Sequence, residues 1–129
     1  MIVRLLPALI VMATIFFLSH LPGDSLDFNH PKGTDKVYHA IAFGLLALSG
    51  IYVVKSDIDN RKIPLLRGLA IIIFCLIYGV SDEFHQSFIR ERFFDWRDLA
   101  ADTLGALLII LCWWIFHYYR MKNLKKLYT

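Results

Sequence analysis

At 129 residues the chain has room for one domain, and its 57% hydrophobic content exceeds what soluble domains usually carry. The net charge of +3 comes from basic residues placed between apolar runs, a pattern that argues against a nucleic-acid binder and suits a protein oriented in a membrane. Cys75 and Cys112 lie inside apolar stretches without the spacing of a metal or redox pair. Composition therefore predicts a membrane protein whose main partners are lipids.

Four apolar segments, residues 5–21, 35–54, 65–86 and 98–119, come close to the roughly 20 residues that a spanning helix needs. They predict an all-α, polytopic membrane protein with four transmembrane helices in a compact bundle, formed by a single domain of residues 1–129. Pro22 and Gly23 end the first segment. A cleaved signal peptide is the alternative for that segment, but no small-x-small cleavage site follows it.

The short loops favour a cytoplasmic location for both termini, because Lys and Arg are enriched in cytoplasmic loops. With this orientation nine basic residues lie inside: Arg4, Lys55, Arg61, Lys62, Arg67, Arg120, Lys122, Lys125 and Lys126. Five lie outside: Lys32, Lys36, Arg90, Arg92 and Arg97. We expect a multi-pass protein of the bacterial cytoplasmic (inner) membrane. Four helices of this size would expose most of their surface to lipid, which leaves room for a homo-oligomer.

Unusual polar residues gather at the outer ends of the last three segments. They are Asp35, Lys36 and His39 in the second, Tyr78, Asp82, Glu83 and Gln86 in the third, and Asp98 and Asp102 in the fourth, with Asp95 one turn earlier. Spacings of three and four place each set on one helical face. Ionisable groups are costly in a bilayer, so these side chains should point into the bundle and, with Arg92, form a mixed-charge pocket.

Such a pocket has three functional interpretations and one structural one. A carboxylate or His39 can perform acid/base chemistry, several carboxylates can coordinate a divalent cation, and Lys36 and Arg92 can hold an anionic headgroup. In the structural interpretation the same acids pair with Lys36 and Arg92 and lock three helices together. We expect Tyr78 to donate a hydrogen bond between helices, and Gly44, Gly79 and Gly105 to permit close helix packing.

These polar residues occur in three ordered blocks that resemble the VanZ-like family of small membrane proteins. The first block is Asp35, Lys36, His39 and Phe43; the second is Tyr78, Gly79, Asp82, Glu83, Gln86 and Phe88; the third is Arg92, Asp98, Asp102 and Gly105. Family members often read Pro-Gly-Arg where this chain has Arg90-Glu91-Arg92, which makes the loop more charged and weakens the prediction of a turn. They often have Asn at the position of Asp102, so this chain carries an additional carboxylate.

The resemblance implies a role in the cell envelope, since the family takes its name from a protein associated with reduced sensitivity to the glycopeptide teicoplanin. One hypothesis is that the pocket binds a lipid-linked or cell-wall-related anionic ligand. Its ligand-binding residues would be Asp35, Lys36, Tyr78, Asp82, Gln86, Arg92 and Asp98. The alternative is an intramembrane hydrolase or transferase for a phosphate-bearing lipid, with Glu83, His39 and Asp102 as catalytic residues. A proton or ion pathway is disfavoured, because the cytoplasmic halves of the segments are almost purely apolar.

Overall fold

The computed structural model describes residues 2–23, 33–55 and 65–127, and within them it forms four α-helices. They are α1 (Ile2–Ser19), α2 (Thr34–Lys55), α3 (Leu65–Gln86) and α4 (Trp96–Leu127). The predicted all-α fold is confirmed, and the bounds of α3 are those predicted. Helix α4 continues beyond the predicted end at residue 119, to Leu127.

Three of the helices are long and apolar enough to cross a membrane: Thr34–Val54, Leu65–Gln86 and Trp96–Phe116. Helix α1 is apolar but shorter; its 18 residues extend about 27 Å, slightly less than a hydrocarbon core of roughly 30 Å. A fourth span and the location of both termini in the cytoplasm remain predictions. Lys32, Arg61 and Lys62, which enter the charge count, lie outside the described residues, as do the side chains of Lys55, Arg120, Lys125 and Lys126.

Helix α2 lies at the centre of the bundle and packs against the other three helices, with its largest interface toward α4. Its buried face carries Phe43, Leu46, Ala47 and Ile51, while side chains such as Leu45 on its other face are exposed. Exposed leucines on a membrane helix are in contact with lipid, which is as apolar as the side chains themselves. Close packing and hydrogen bonds between helices therefore hold such a bundle together.

The closest approach of α2 and α4 occurs at Gly105. A Cβ atom at this position would overlap the backbone carbonyl of Ala40 and would lie 2.9 Å from the Ala40 Cα. A Cβ at Gly44, on the same interface, would meet the Gly105 carbonyl oxygen at 3.5 Å, an ordinary contact. The predicted packing role is confirmed for Gly105, which has no room for any side chain, whereas a Cβ would fit at Gly44.

We predict that Gly105→Ala separates α2 from α4 and lowers the free energy of unfolding by about 1–3 kcal/mol, the usual cost of overpacking. Thermal unfolding of the purified protein in detergent, followed by circular dichroism, measures the change. Gly44→Ala is the matched control and should leave the midpoint near that of the wild type. Equal midpoints for all three proteins would contradict the packing assigned to Gly105.

The loop between α3 and α4 contains a residue in the left-handed conformation. Glu91 has a φ of 60°, in the region that glycine adopts at little cost and that disfavours other residues. The turn is fixed against the end of α1, because the Gly23 N–H donates to the Arg90 carbonyl at 3.2 Å. This chain thus has a left-handed residue, Glu91, at the position where members of the family that it resembles often have glycine.

We expect Glu91→Gly to raise the free energy of unfolding by about 1 kcal/mol, since it relieves left-handed strain that costs a residue with a Cβ roughly that amount. Chemical or thermal unfolding in detergent tests the prediction. Glu91→Gln, which removes the charge and keeps the Cβ, should not reproduce the gain. A gain of the same size in Glu91→Gln would mean that charge, and not backbone conformation, is responsible.

Candidate functional site

The predicted polar residues meet at one end of the bundle, where α1 and α3 end and α2 and α4 begin; we call this the polar end. Its helices are fixed locally by short turns. Pro22 lacks the N–H that would extend α1. Asp95 caps the start of α4, since its Oδ1 accepts from the Arg97 N–H at 2.8 Å. Three clusters of polar side chains lie between these helix ends.

The first group is the trio of His39, Glu83 and Asp102, contributed by α2, α3 and α4. His39 Nδ1 lies 3.0 Å from Asp102 Oδ1, and one potential ligand atom from each member lies within 4.8 Å of the others. Glu83 and Asp102 have relative exposures of 0%. The rise of a helix places the three residues about 4–9 Å inside the ends of their helices. The trio therefore lies within the helical part of the bundle, about one to two turns from its polar end.

Each carboxylate of the trio has one oxygen with a partner and one without. Glu83 Oε2 accepts from the Asp95 N–H at 2.9 Å, and Asp102 Oδ1 faces His39. Glu83 Oε1 and Asp102 Oδ2 are buried without a hydrogen-bond partner among the described residues. Gly79 borders Asp102 Oδ2, which would lie 3.0 Å from a Cβ at that position. Buried polar atoms are almost always satisfied, so two unpaired carboxylate oxygens in one cluster require an explanation.

The second group, the rim cluster, consists of Lys36 and the three aspartates around it. Lys36 Nζ lies 2.8 Å from Asp98, 3.1 Å from Asp35 and 3.2 Å from Asp95. The Arg97 N–H, together with Lys36, holds the pKa of Asp95 below its usual value, so this carboxylate is charged at neutral pH. The positive charge of Lys36 is taken up by protein carboxylates, which leaves little of it for an anionic ligand.

The third group, the Ser19 network, joins α1 to α3. The Ser19 hydroxyl and the Gln86 amide each donate to Asp82 Oδ2 at 2.8 Å. All three residues are buried, with relative exposures between 4% and 6%. Neither oxygen of Asp82 is among the buried atoms of the described residues without a partner, whereas one oxygen of Glu83 and one of Asp102 are. This is the arrangement expected of a structural contact.

Arg92 extends the Ser19 network to the carboxyl end of α1. Its Nε donates to the Leu21 carbonyl at 3.0 Å, its Nη2 to the Leu18 carbonyl at 3.3 Å, and its Nη1 to Gln86 Oε1 at 2.9 Å. The last carbonyls of a helix have no partner within the helix and carry partial negative charge. Arg92 therefore acts here as a cap for α1.

Comparison with the sequence predictions separates the candidate residues by role. Tyr78 donates to the Met12 carbonyl of α1 at 2.8 Å, which confirms the expected hydrogen bond between helices. Asp98 belongs to the rim cluster and not to the trio. Sequence reasoning did not identify Ser19 as a partner of Asp82. A hydroxyl at the end of an apolar segment is a weak signal, and its partner becomes visible only once α1 and α3 are packed.

We predict that Arg92→Lys destabilises the protein by about 1.5–3 kcal/mol, the range for hydrogen bonds to charged groups, because an ammonium cannot reproduce the guanidinium fork. Unfolding in detergent measures the loss. Arg97→Lys, at an exposed position, is the control and should be close to neutral. Unchanged stability of Arg92→Lys would contradict the capping role.

The sequence of this chain matches a known protein family. The VanZ/LLP1 family matches residues 4–117, which include all three groups. An uncharacterized protein of the fission yeast Schizosaccharomyces pombe is 34% identical over 91 residues, which cover 70% of this chain and 53% of the yeast protein. The chain thus spans about half the length of that relative.

No solved structure matches the chain. The relative comes from a yeast, so family membership does not by itself indicate a bacterial membrane. Three apolar helices of spanning length and a family match over nearly the whole sequence agree on the class of protein. The chain is a helical membrane protein that belongs to the VanZ/LLP1 family.

Proposed function

We propose that this protein is a membrane-embedded hydrolase or transferase that acts on the headgroup of a phosphate-bearing lipid at the polar end. One observation carries the proposal: His39, Glu83 and Asp102, from three helices, converge within 4.8 Å, and both carboxylates are fully buried with an unpaired oxygen. The depth of the trio supports a substrate whose polar group lies at the membrane surface and whose chain lies in the bilayer.

The contrast between Asp82 and the trio favours chemistry over a structural role. Asp82 is a buried carboxylate at the same end of α3, and Ser19 and Gln86 supply its hydrogen bonds. A purely structural ion network would treat Glu83 and Asp102 in the same way. Their unpaired oxygens are expensive in a low-dielectric site, and such groups concentrate where proteins bind ligands or move protons.

For hydrolysis, Glu83 is the general base and His39 the general acid. Glu83 accepts a proton from a water molecule whose oxygen attacks the phosphorus atom. The bond between phosphorus and the lipid oxygen breaks, and His39 donates a proton to that leaving oxygen. Asp102 orients His39 through their 3.0 Å contact. One water is consumed, and a lipid monophosphate gives inorganic phosphate and a lipid alcohol. A lipid diphosphate is cleaved at its terminal phosphorus and gives inorganic phosphate and a lipid monophosphate, which is then the leaving group. A transferase replaces the water with an acceptor hydroxyl.

A second candidate function, binding without reaction, is favoured by the exposed arginines near the rim. The Arg90 side chain has a relative exposure of 78%, and Arg97 is also exposed, so both are accessible to an anionic headgroup. If that ligand is a lipid-linked precursor of a bacterial cell wall, the protein lies in the cytoplasmic membrane with the polar end outward. Sensitivity to teicoplanin-type glycopeptides would then depend on the protein.

The test of the proposed reaction is phosphorus NMR of mixed micelles containing the purified protein and one lipid at a time. Suitable lipids are phosphatidic acid, lysophosphatidic acid and undecaprenyl diphosphate. We expect release of inorganic phosphate from at least one of them. Glu83→Gln and His39→Ala should slow the release by about 100-fold or more, the usual contribution of a general acid or base.

Glu91→Gln is the matched control, because it makes the same chemical change at an exposed carboxylate outside the trio. It should retain the wild-type rate, and circular dichroism verifies that each variant is folded. Turnover that is unaffected by Glu83→Gln rules out the catalytic assignment. Saturable lipid binding without turnover of any tested lipid would favour the second candidate function.

A further inference from the structure

We propose that His39, Glu83 and Asp102 form a binding site for a divalent transition-metal ion, with Zn²⁺ the best fit. Two carboxylates with no exposure to solvent lie beside a single imidazole, and the nearby ammonium group of Lys36 already contacts three aspartates of the rim cluster. A buried charge requires compensation, and a dication between the carboxylates supplies it.

The positions of the donor atoms support the same site. One ligand atom from each residue lies within 4.8 Å of the others. Ligands of an ion bound at about 2.1 Å are separated by roughly 3–4.2 Å, so small side-chain rotations would complete the coordination. The second, independent observation is that Glu83 Oε1 and Asp102 Oδ2 are buried and have no protein partner. A bound metal ion would accept a lone pair from a carboxylate oxygen of each residue.

The chemistry of the donors selects the kind of ion. Mg²⁺ and Ca²⁺ prefer sites made only of oxygen, whereas imidazole nitrogen suits Zn²⁺ and related transition metals. Three protein ligands leave a coordination position open, as in catalytic zinc sites. An ion in the trio also removes an electrostatic difficulty of the proposed function, because the acid-rich polar end would otherwise repel a phosphate.

The ion deepens the proposed function and rests on it. With the ion bound, Glu83 and His39 would be ligands, and the ion would take over from these side chains the activation of the attacking water. Binding of the ion can be measured without any lipid. The purified protein is treated with EDTA, exchanged into metal-free detergent buffer and titrated with ZnCl₂, MnCl₂ or MgCl₂ by isothermal calorimetry. We expect one Zn²⁺ per chain, bound at least about 10-fold more tightly than Mg²⁺. We also expect bound Zn²⁺ to raise the unfolding midpoint.

Glu83→Gln and Asp102→Asn keep the shape of each side chain and should weaken Zn²⁺ binding by at least about 10-fold; Glu91→Gln should not change it. The wild-type titration does not depend on the folding of any variant, so failure of the wild type to bind Zn²⁺ overturns the proposal by itself. Binding that survives both trio variants also overturns it, because the ion would then lie elsewhere.

The metal site and the lipid reaction can fail separately. One Zn²⁺ per chain that depends on Glu83 and Asp102, without turnover of any lipid, supports the metal site and rejects the proposed reaction. Lipid turnover at an undiminished rate in EDTA-treated protein, together with no Zn²⁺ binding, rejects the metal site and leaves the reaction standing.

Discussion

The backbone contact between Ala40 and Gly105 sets the distance between α2 and α4, and the geometry of the polar end depends on it. His39 precedes Ala40 in the chain, and Asp102 lies one turn before Gly105. Aspartate has a short side chain, so it reaches an imidazole on a neighbouring helix only where the two backbones are close. The absence of a side chain at Gly105 thus permits the 3.0 Å contact between His39 and Asp102.

The polar end divides its ionisable side chains between two physical roles. In the Ser19 network and the rim cluster, hydrogen-bond donors of the protein are paired with acceptors of the protein. Arg92 caps α1, and Lys36 is surrounded by carboxylates. These contacts supply the attraction between helices that the hydrophobic effect cannot provide within lipid. In the trio, two buried carboxylate oxygens have no hydrogen-bond partner among the described residues. The hydrogen-bonded groups hold the helices at fixed positions. This rigidity keeps the unpaired carboxylate oxygens of the trio buried and close together.

The competing interpretations of the pocket are thereby assigned to different residues. The structural interpretation applies to Asp82, which joins α3 to α1, and to Arg92, which joins the loop after α3 to the end of α1. A direct anion clamp by Lys36 is disfavoured, because three carboxylates lie within 3.2 Å of its Nζ. The proposed chemistry and cation binding are assigned to the trio. An anionic headgroup is compatible with this end of the bundle once a cation offsets the excess of acidic groups.

The sequence by itself determined the all-α class and the bounds of α3, because long apolar runs flanked by polar residues have few other stable forms in a membrane. It also placed His39, Glu83 and Asp102 at one end, since helical spacing and the cost of buried charge are local properties. Only the tertiary structure decided which acids have partners. Ser19 reaches Asp82 across 63 positions of the chain, and no local pattern indicates a contact that arises when separate helices pack.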